Sequence, residues 1–134
     1  MPGLRFYSPE LPIEQKRIMV KELTEAVGRS LNLQEEGRNW TLIHFMPFKL
    51  EDFAIGGALM VDTQNSCYYL EITERDLTPE KKEALVRNLT AVLADVFNLQ
   101  PHELYKINII FQEYKPEDMA RAGRFLSQMG MALT

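Results

Sequence analysis

Cysteine is almost absent: Cys67 is the single one in 134 residues. That excludes an intrachain disulfide and fits a reducing compartment. Histidine is nearly as scarce. His44 and His102 are the two present, and with one cysteine they give no metal-ligand spacing. No metal and no other cofactor is expected. No apolar run is long enough to cross a bilayer, and no long apolar segment of a leader follows Met1. Basic clusters are missing too. The chain has 15 Lys and Arg against 19 Asp and Glu, a net charge of −4. Without a basic run, or a basic stripe interleaved with aromatics, nucleic acid is not an expected partner. The expectation is a soluble, cytoplasmic protein with no membrane association.

Apolar residues make up 46% of the chain and charged residues 25%. This is ordinary globular composition, and the length suits one domain with a real core. A proline directly after the initiator methionine is less ordinary. Proline removes a backbone donor and fixes φ, so within a sheet it is confined to edges, bulges and strand starts.

The chain repeats itself. Sliding it by 66 residues lays EQKRIMVKELTEAVGRSLNLQ over EKKEALVRNLTAVLADVFNLQ. Glu14 meets Glu80, Lys16 meets Lys82, and Leu23-Thr24 meets Leu89-Thr90. Asn32-Leu33-Gln34 meets Asn98-Leu99-Gln100. Leu4 over Leu70 and Phe45 over Phe111 carry the register outside the helix. A single domain of two halves follows, about 1–60 and 67–127 within 1–134.

Each half reads strand, helix, strand. GLRFYS alternates as a strand over Gly3–Ser8. Ile18, Met19, Leu23, Val27 and Leu31 follow the helical period over Ile13–Leu31, with Pro12 at the start. Thr41–Met46 is the next strand. In the second half CYYLEITE is a strand, and Thr78-Pro79 is an N-cap followed by proline at N1. Leu85, Leu89, Val92, Val96 and Phe97 give a helical face, and ELYKINIIFQEY reads as the fourth strand. Right-handed crossovers then give an α+β fold: a four-stranded mixed sheet with two helices on one face. The other sheet face needs cover, which points to a small oligomer. Gly56-Gly57 reads as a turn, Asp62–Ser66 as a loop, and KPEDMARAGRFLSQMG as a helical turn or short helix interrupted at Gly123. His44 reads as structural, Met19, Met46 and Met60 as core filler, and the TERD and EEGR clusters as solvated turns.

Met1-Pro2, the tandem β-α-β units and the FAIGG turn together resemble the tautomerase superfamily. The first half is similar to 4-oxalocrotonate tautomerase in EQK at the helix start, in EAVGRSL and in FxIGG (Phe53, Ile55, Gly56, Gly57). The doubled length resembles malonate semialdehyde decarboxylase, cis-3-chloroacrylic acid dehalogenase and macrophage migration inhibitory factor. ARAGRFL in the tail is similar to the dehalogenase branch. The resemblance spans about residues 1–127 and implies a homotrimer.

It also implies that Pro2, once Met1 is removed, is a secondary amine acting as catalytic base. An α-amino group titrates near pH 8, and burial or nearby cations lower it further. Such an amine can move a proton between carbon and oxygen of an enol acid. Cations would hold the substrate carboxylate. Arg75 matches the first of two arginines of the decarboxylase pattern, while Leu77 replaces the second. Lys106 falls at a substrate-facing position of the fourth strand, often supplied by a neighbouring subunit, with Asn108 on the same strand face. Trp40 is the repeat mate of Lys106, Phe53 matches an aromatic wall, and Arg38 lies near the decarboxylase's acid. The dehalogenase's tail glutamate is Arg121 here, its helix histidine Val27 and its tyrosine Ile110. These departures count against dehalogenation and decarboxylation. The expectation is a tautomerase acting on a small 2-keto or enol carboxylate. The alternative is a non-catalytic ligand- or protein-binding member with a vestigial site.

Overall fold

The computed structural model describes residues 1–129. The first half forms β1 (Gly3–Ser8), α1 (Ile13–Leu31), α2 (Glu35–Asn39), β2 (Leu42–Pro47), β3 (Ala54–Ile55), β4 (Ala58–Leu59) and α3 (Met60–Thr63). The second forms β5 (Tyr68–Glu74), α4 (Pro79–Val96), β6 (Ile107–Glu113), β7 (Ala120–Arg121) and β8 (Arg124–Phe125). Short 3-10 turns fill Leu50–Asp52, Pro101–Lys106, Pro116–Asp118 and Leu126–Gln128.

The helix boundaries have local causes. The Thr78 hydroxyl accepts the Lys81 backbone N–H at 3.2 Å, and Pro79 follows at the position where a missing N–H costs nothing. Asn32 closes α1 at φ 53°, and its repeat mate Asn98 follows α4 at φ 52°. Asparagine is one of the few residues that enters this left-handed region readily.

The sheet order is β2-β1-β5-β6. β1 and β2 are parallel, β5 and β6 are parallel, and the two units meet antiparallel through β1 and β5. That register sets Leu4 opposite Ile72 and Phe6 opposite Leu70. All four are buried with Met19, Leu23 and Val27 of α1 and Leu85, Leu89 and Leu93 of α4. Each such side chain contributes about 1.5–3 kcal/mol of burial. The helices also meet through a polar contact, the Asn88 amide donating to the Ser30 hydroxyl at 2.9 Å. The two helices thus cover one face of a mixed sheet. No helix among the described residues is long and apolar enough to cross a membrane.

Several expectations need correction. The tail holds helical turns at Pro116–Asp118 and Leu126–Gln128 but no longer helix: between them β7 and β8 form a hairpin. Ala122 and Gly123 take φ of 53° and 80°, close to the 62° and 85° of Gly56 and Gly57, and a left-handed pair of this kind stops a helix. The tail is thereby the repeat of the β3–β4 turn. The tail reading reached Gly130 and the domain reading residue 134; residues 130–134 lie outside the described residues. The fourth strand begins at Ile107, because Pro101–Lys106 is a 3-10 turn, so Lys106 stands at the end of that turn rather than on the strand. Met46 is 38% exposed on the sheet face away from the helices, not core filler. Ile18 is exposed as well. The loop read at Asp62–Ser66 loses its first two residues to α3.

Candidate active site

Antiparallel pairing sets Gly3 opposite Thr73. The start of β1 therefore lies beside the end of β5, where Glu74 and Arg75 follow. Parallel pairing carries β6 to the same edge and ends it at Glu113, just before Tyr114. Strand register alone thus gathers residues 1, 2, 74, 75 and 114.

Pro2 is fully buried at the mouth of β1, and its carbonyl accepts the Leu42 N–H at 3.0 Å. Met1 precedes it, so the Pro2 nitrogen is an amide and the amine belongs to Met1. That ammonium is 3.3 Å from Glu74 Oε1. Glu74 also accepts the Arg75 backbone N–H at 2.9 Å. The Tyr114 hydroxyl lies 3.4 Å from Glu74 Oε1 and 3.3 Å from the Met1 carbonyl, within donating distance of both. Burial is the first cause that holds the Met1 ammonium below its ordinary pKa of 8.0. Glu74 opposes that shift, and Arg75 adds to it. Burial first, and the Glu74 charge second, push the Tyr114 phenol up to about 12.

Trp40 and Arg121 stand over the same end. The guanidinium carbon of Arg121 is 3.3 Å from the centroid of the Trp40 ring, and Arg121 Nη1 is 3.8 Å from Met1 Sδ. A cavity of about 170 Å³ opens here, lined by Met1, Arg5, Leu42, His44, Tyr114 and Met119 among others. Arg75 turns the other way. Its side chain lines a cavity of about 470 Å³ with Asn32, Gln34 and Lys81, and its Nε lies 4.0 Å from Asp76.

The remaining expected site residues lie elsewhere. Arg38 folds onto α1, where it donates to Glu25 at 2.7 Å and to the Leu33 carbonyl at 3.3 Å. Phe53, Lys106 and Asn108 line a separate cavity of about 540 Å³. The structure thus brings together Pro2, Trp40 and Arg121, with the Arg75 backbone beside them, and brings together Phe53, Lys106 and Asn108. Within one chain it does not join the two groups.

Sequence reasoning missed Glu74 and Tyr114. TERD is no solvated turn where it matters: Glu74 is 3% and Arg75 4% exposed. The available signal was the antiparallel meeting of the two repeats, which forces the end of β5 against the start of β1.

Residues 70–129 match the family model described as "Tautomerase enzyme". The chain superposes on a native fused 4-OT with a TM-score of 0.85 at 17% identity, covering 96% of this chain and 99% of that one. An F6 fused 4-OT, an asymmetric trimer, gives a TM-score of 0.77 at 18% identity, with the same coverage of 96% and 99%. N1, a member of the cis-3-chloroacrylic acid dehalogenase family, gives 0.75 at 16% identity, covering 92% and 82%. This is the tautomerase-superfamily fold. No curated protein sequence matches the chain. The second half carries the tautomerase sequence pattern, and the β-α-β repeat extends the superfamily fold over both halves.

Proposed function

We propose that this chain is a keto–enol tautomerase of small 2-keto or enol carboxylates, with the Pro2 amine as base after removal of Met1. One observation carries the reading. The chain's amine is held in a buried niche beside Glu74, Arg75 and Tyr114, at the mouth of a cavity that Trp40 and Arg121 flank. Burial favours the neutral amine, and Arg121 supplies positive charge for a carboxylate. The amine takes the enol hydroxyl proton, the carbonyl forms, and the resulting ammonium returns the proton to the adjacent carbon. The developing oxyanion is stabilised by the nearby guanidinium. The tautomerase pattern in residues 70–129 supports this chemistry.

The protein would act as a homotrimer, as the asymmetric trimer of a fused 4-OT suggests. The test is ketonisation of enol-phenylpyruvate by the untagged protein with Met1 absent by mass. Turnover that falls at least about a hundredfold in Pro2→Ala supports the assignment; undiminished turnover overturns it.

A second reading, a binding protein on the same scaffold, has one observation in its favour. Met1 is itself buried and ion-paired with Glu74, an arrangement in which Pro2 has no basic nitrogen. Retention of Met1 on the mature protein, with saturable ligand binding and no turnover, would select it.

A further inference from the structure

We propose that Glu74, braced by Tyr114, is the positioning residue of the N-terminal amine: in the processed chain it takes the N–H of Pro2, as it takes the Met1 ammonium at 3.3 Å here. The proposal rests on the reading that Pro2 is the base, and it adds what sets the direction of that base.

The repeat supplies an internal control. Sliding by 66 residues lays Glu74 over Ser8, Tyr114 over Phe48 and Tyr68 over Pro2. The two ends share their backbone pairing. The Tyr114 N–H donates to the Glu74 carbonyl at 3.4 Å, and the Phe48 N–H donates to the Ser8 carbonyl at 3.0 Å. The side chains differ. Beside Tyr68, where no amine stands, the Ser8 hydroxyl donates to the Pro9 carbonyl at 2.8 Å, and Phe48 stacks on Phe53 with centroids 4.9 Å apart. Where the amine stands, the same two positions carry a carboxylate and a phenol, and both reach Met1. The fold closes its other end without either group, so the backbone does not require them. A carboxylate that is 3% exposed is costly unless it is paired, and the amine is the charge that Glu74 meets.

Removal of Met1 moves the amine one residue along the chain, a nitrogen-to-nitrogen step of about 3.5 Å. The Leu42 N–H holds the Pro2 carbonyl at 3.0 Å, so the proline stays in place and the Glu74 side chain turns about its own bonds to cover the step. The Tyr114 hydroxyl, shared here between Glu74 and the Met1 carbonyl, keeps Glu74 as its acceptor.

The consequence is directional. A neutral secondary amine has one N–H and one lone pair. With the N–H on Glu74, the lone pair faces the cavity that Trp40 and Arg121 flank. It takes the enol proton there. The ammonium then carries two protons on different sides: the one on Glu74 stays, and the one on the open side goes to the substrate carbon. Glu74 neither gains nor loses a proton in the cycle. Its charge offsets part of the burial that favours the neutral amine. The other ionisable groups about this end are Arg75 after β5, Tyr114 after β6, Arg121 on β7, Arg5 on β1 and His44 on β2.

The test uses the untagged chain with Met1 absent by mass. The pH midpoint of the Pro2 amine is read from its rate of carbamylation by cyanate, followed on the N-terminal peptide, which needs no turnover. Glu74→Gln is expected to lower the proton affinity of the amine about tenfold. It is also expected to cut kcat for enol-phenylpyruvate at least about tenfold with KM nearly unchanged, because the amine and not the substrate loses its contact. The same difference in a His44→Gln background assigns it to the carboxylate, and its disappearance there overturns the proposal. Should Glu74→Gln fail to fold, Glu74→Asp keeps the charge with a shorter reach and is expected to lower kcat with KM held. An unchanged midpoint in Glu74→Gln, or an unchanged kcat in Glu74→Asp, overturns the proposal while leaving Pro2 as the base. A lowered midpoint in a chain that turns nothing over supports the contact and overturns the tautomerase reading instead.

Discussion

The Arg121 guanidinium lies 3.3 Å from the centre of the Trp40 ring. The two residues come from different halves of the chain. Their contact depends on the β7–β8 hairpin, since a helical tail would carry Arg121 on another path. Contacts of this kind contribute about 0.5–2 kcal/mol. Arg121→Ala is expected to unstack the ring. Trp40 is the single tryptophan, so its emission should shift to the red, and KM for a keto acid should rise about threefold to tenfold. Unchanged emission would remove Arg121 from the site.

Glu74 joins three groups: the Met1 ammonium, the Arg75 N–H and the Tyr114 hydroxyl. Glu74→Gln keeps the volume and removes the charge. It leaves a buried ammonium without its counter-ion, at an expected cost of about 1–3 kcal/mol in urea unfolding of the Met1-retaining chain. A change within experimental scatter would show that the pair contributes nothing net.

The amine also makes stability depend on pH. Its pKa in the folded Met1-retaining chain lies below the ordinary 8.0. Between the two values the unfolded chain binds more protons, so stability rises with pH through that window and is lost as pH falls through it. Thermal melts from mildly acidic pH to pH 8 should show this slope, and N-terminal acetylation should flatten it. An identical slope after acetylation would assign the effect to other groups.

Tyr114 acts with the opposite sign. Its pKa rises from 10.0 to about 12 on folding. The contribution is fully present below pH 10 and is lost as pH climbs towards 12, because there the unfolded chain has given up the proton first. Tyr114→Phe should blunt the alkaline fall in unfolding free energy. Tyr68, whose pKa is also raised by burial, leaves a residual slope. A Phe variant with the wild-type alkaline limb would contradict the assignment.

These sites show how far the sequence could be read. The repeat, the bounds of β1 and α1, and the Thr78-Pro79 cap were legible, because helical period, capping and self-similarity are local signals. The hairpin at Ala122-Gly123 was equally encoded, as the repeat of Gly56-Gly57. It was missed because ARAGRFLSQM has helical propensity, and one Gly gives a weaker turn signal than two. Glu74, read as part of a solvated turn, is buried instead, because burial at a strand end depends on which strand lies beside it. Arg38 looked like a site residue, yet it packs where a Cβ on Gly28 would come within 2.5 Å of its Nε. That close approach is a tertiary fact with no sequence pattern.

The face of the sheet away from the helices tests the proposed trimer. Ile110 is 40% exposed there, and Leu42 and Met46 on β2 are exposed as well. A lone chain would leave these side chains in water, whereas an assembled one would bury them. Light scattering at working concentration should therefore report three copies. Ile110→Glu adds a charge at the middle of β6 without touching the helix-side core. Burying an unpaired carboxylate in an apolar interface costs several kcal/mol, so the variant should run as a smaller species with helical circular dichroism retained. A wild-type chain that is monomeric would remove the trimer. A trimeric Ile110→Glu would instead mean that this part of the sheet lies outside the contact.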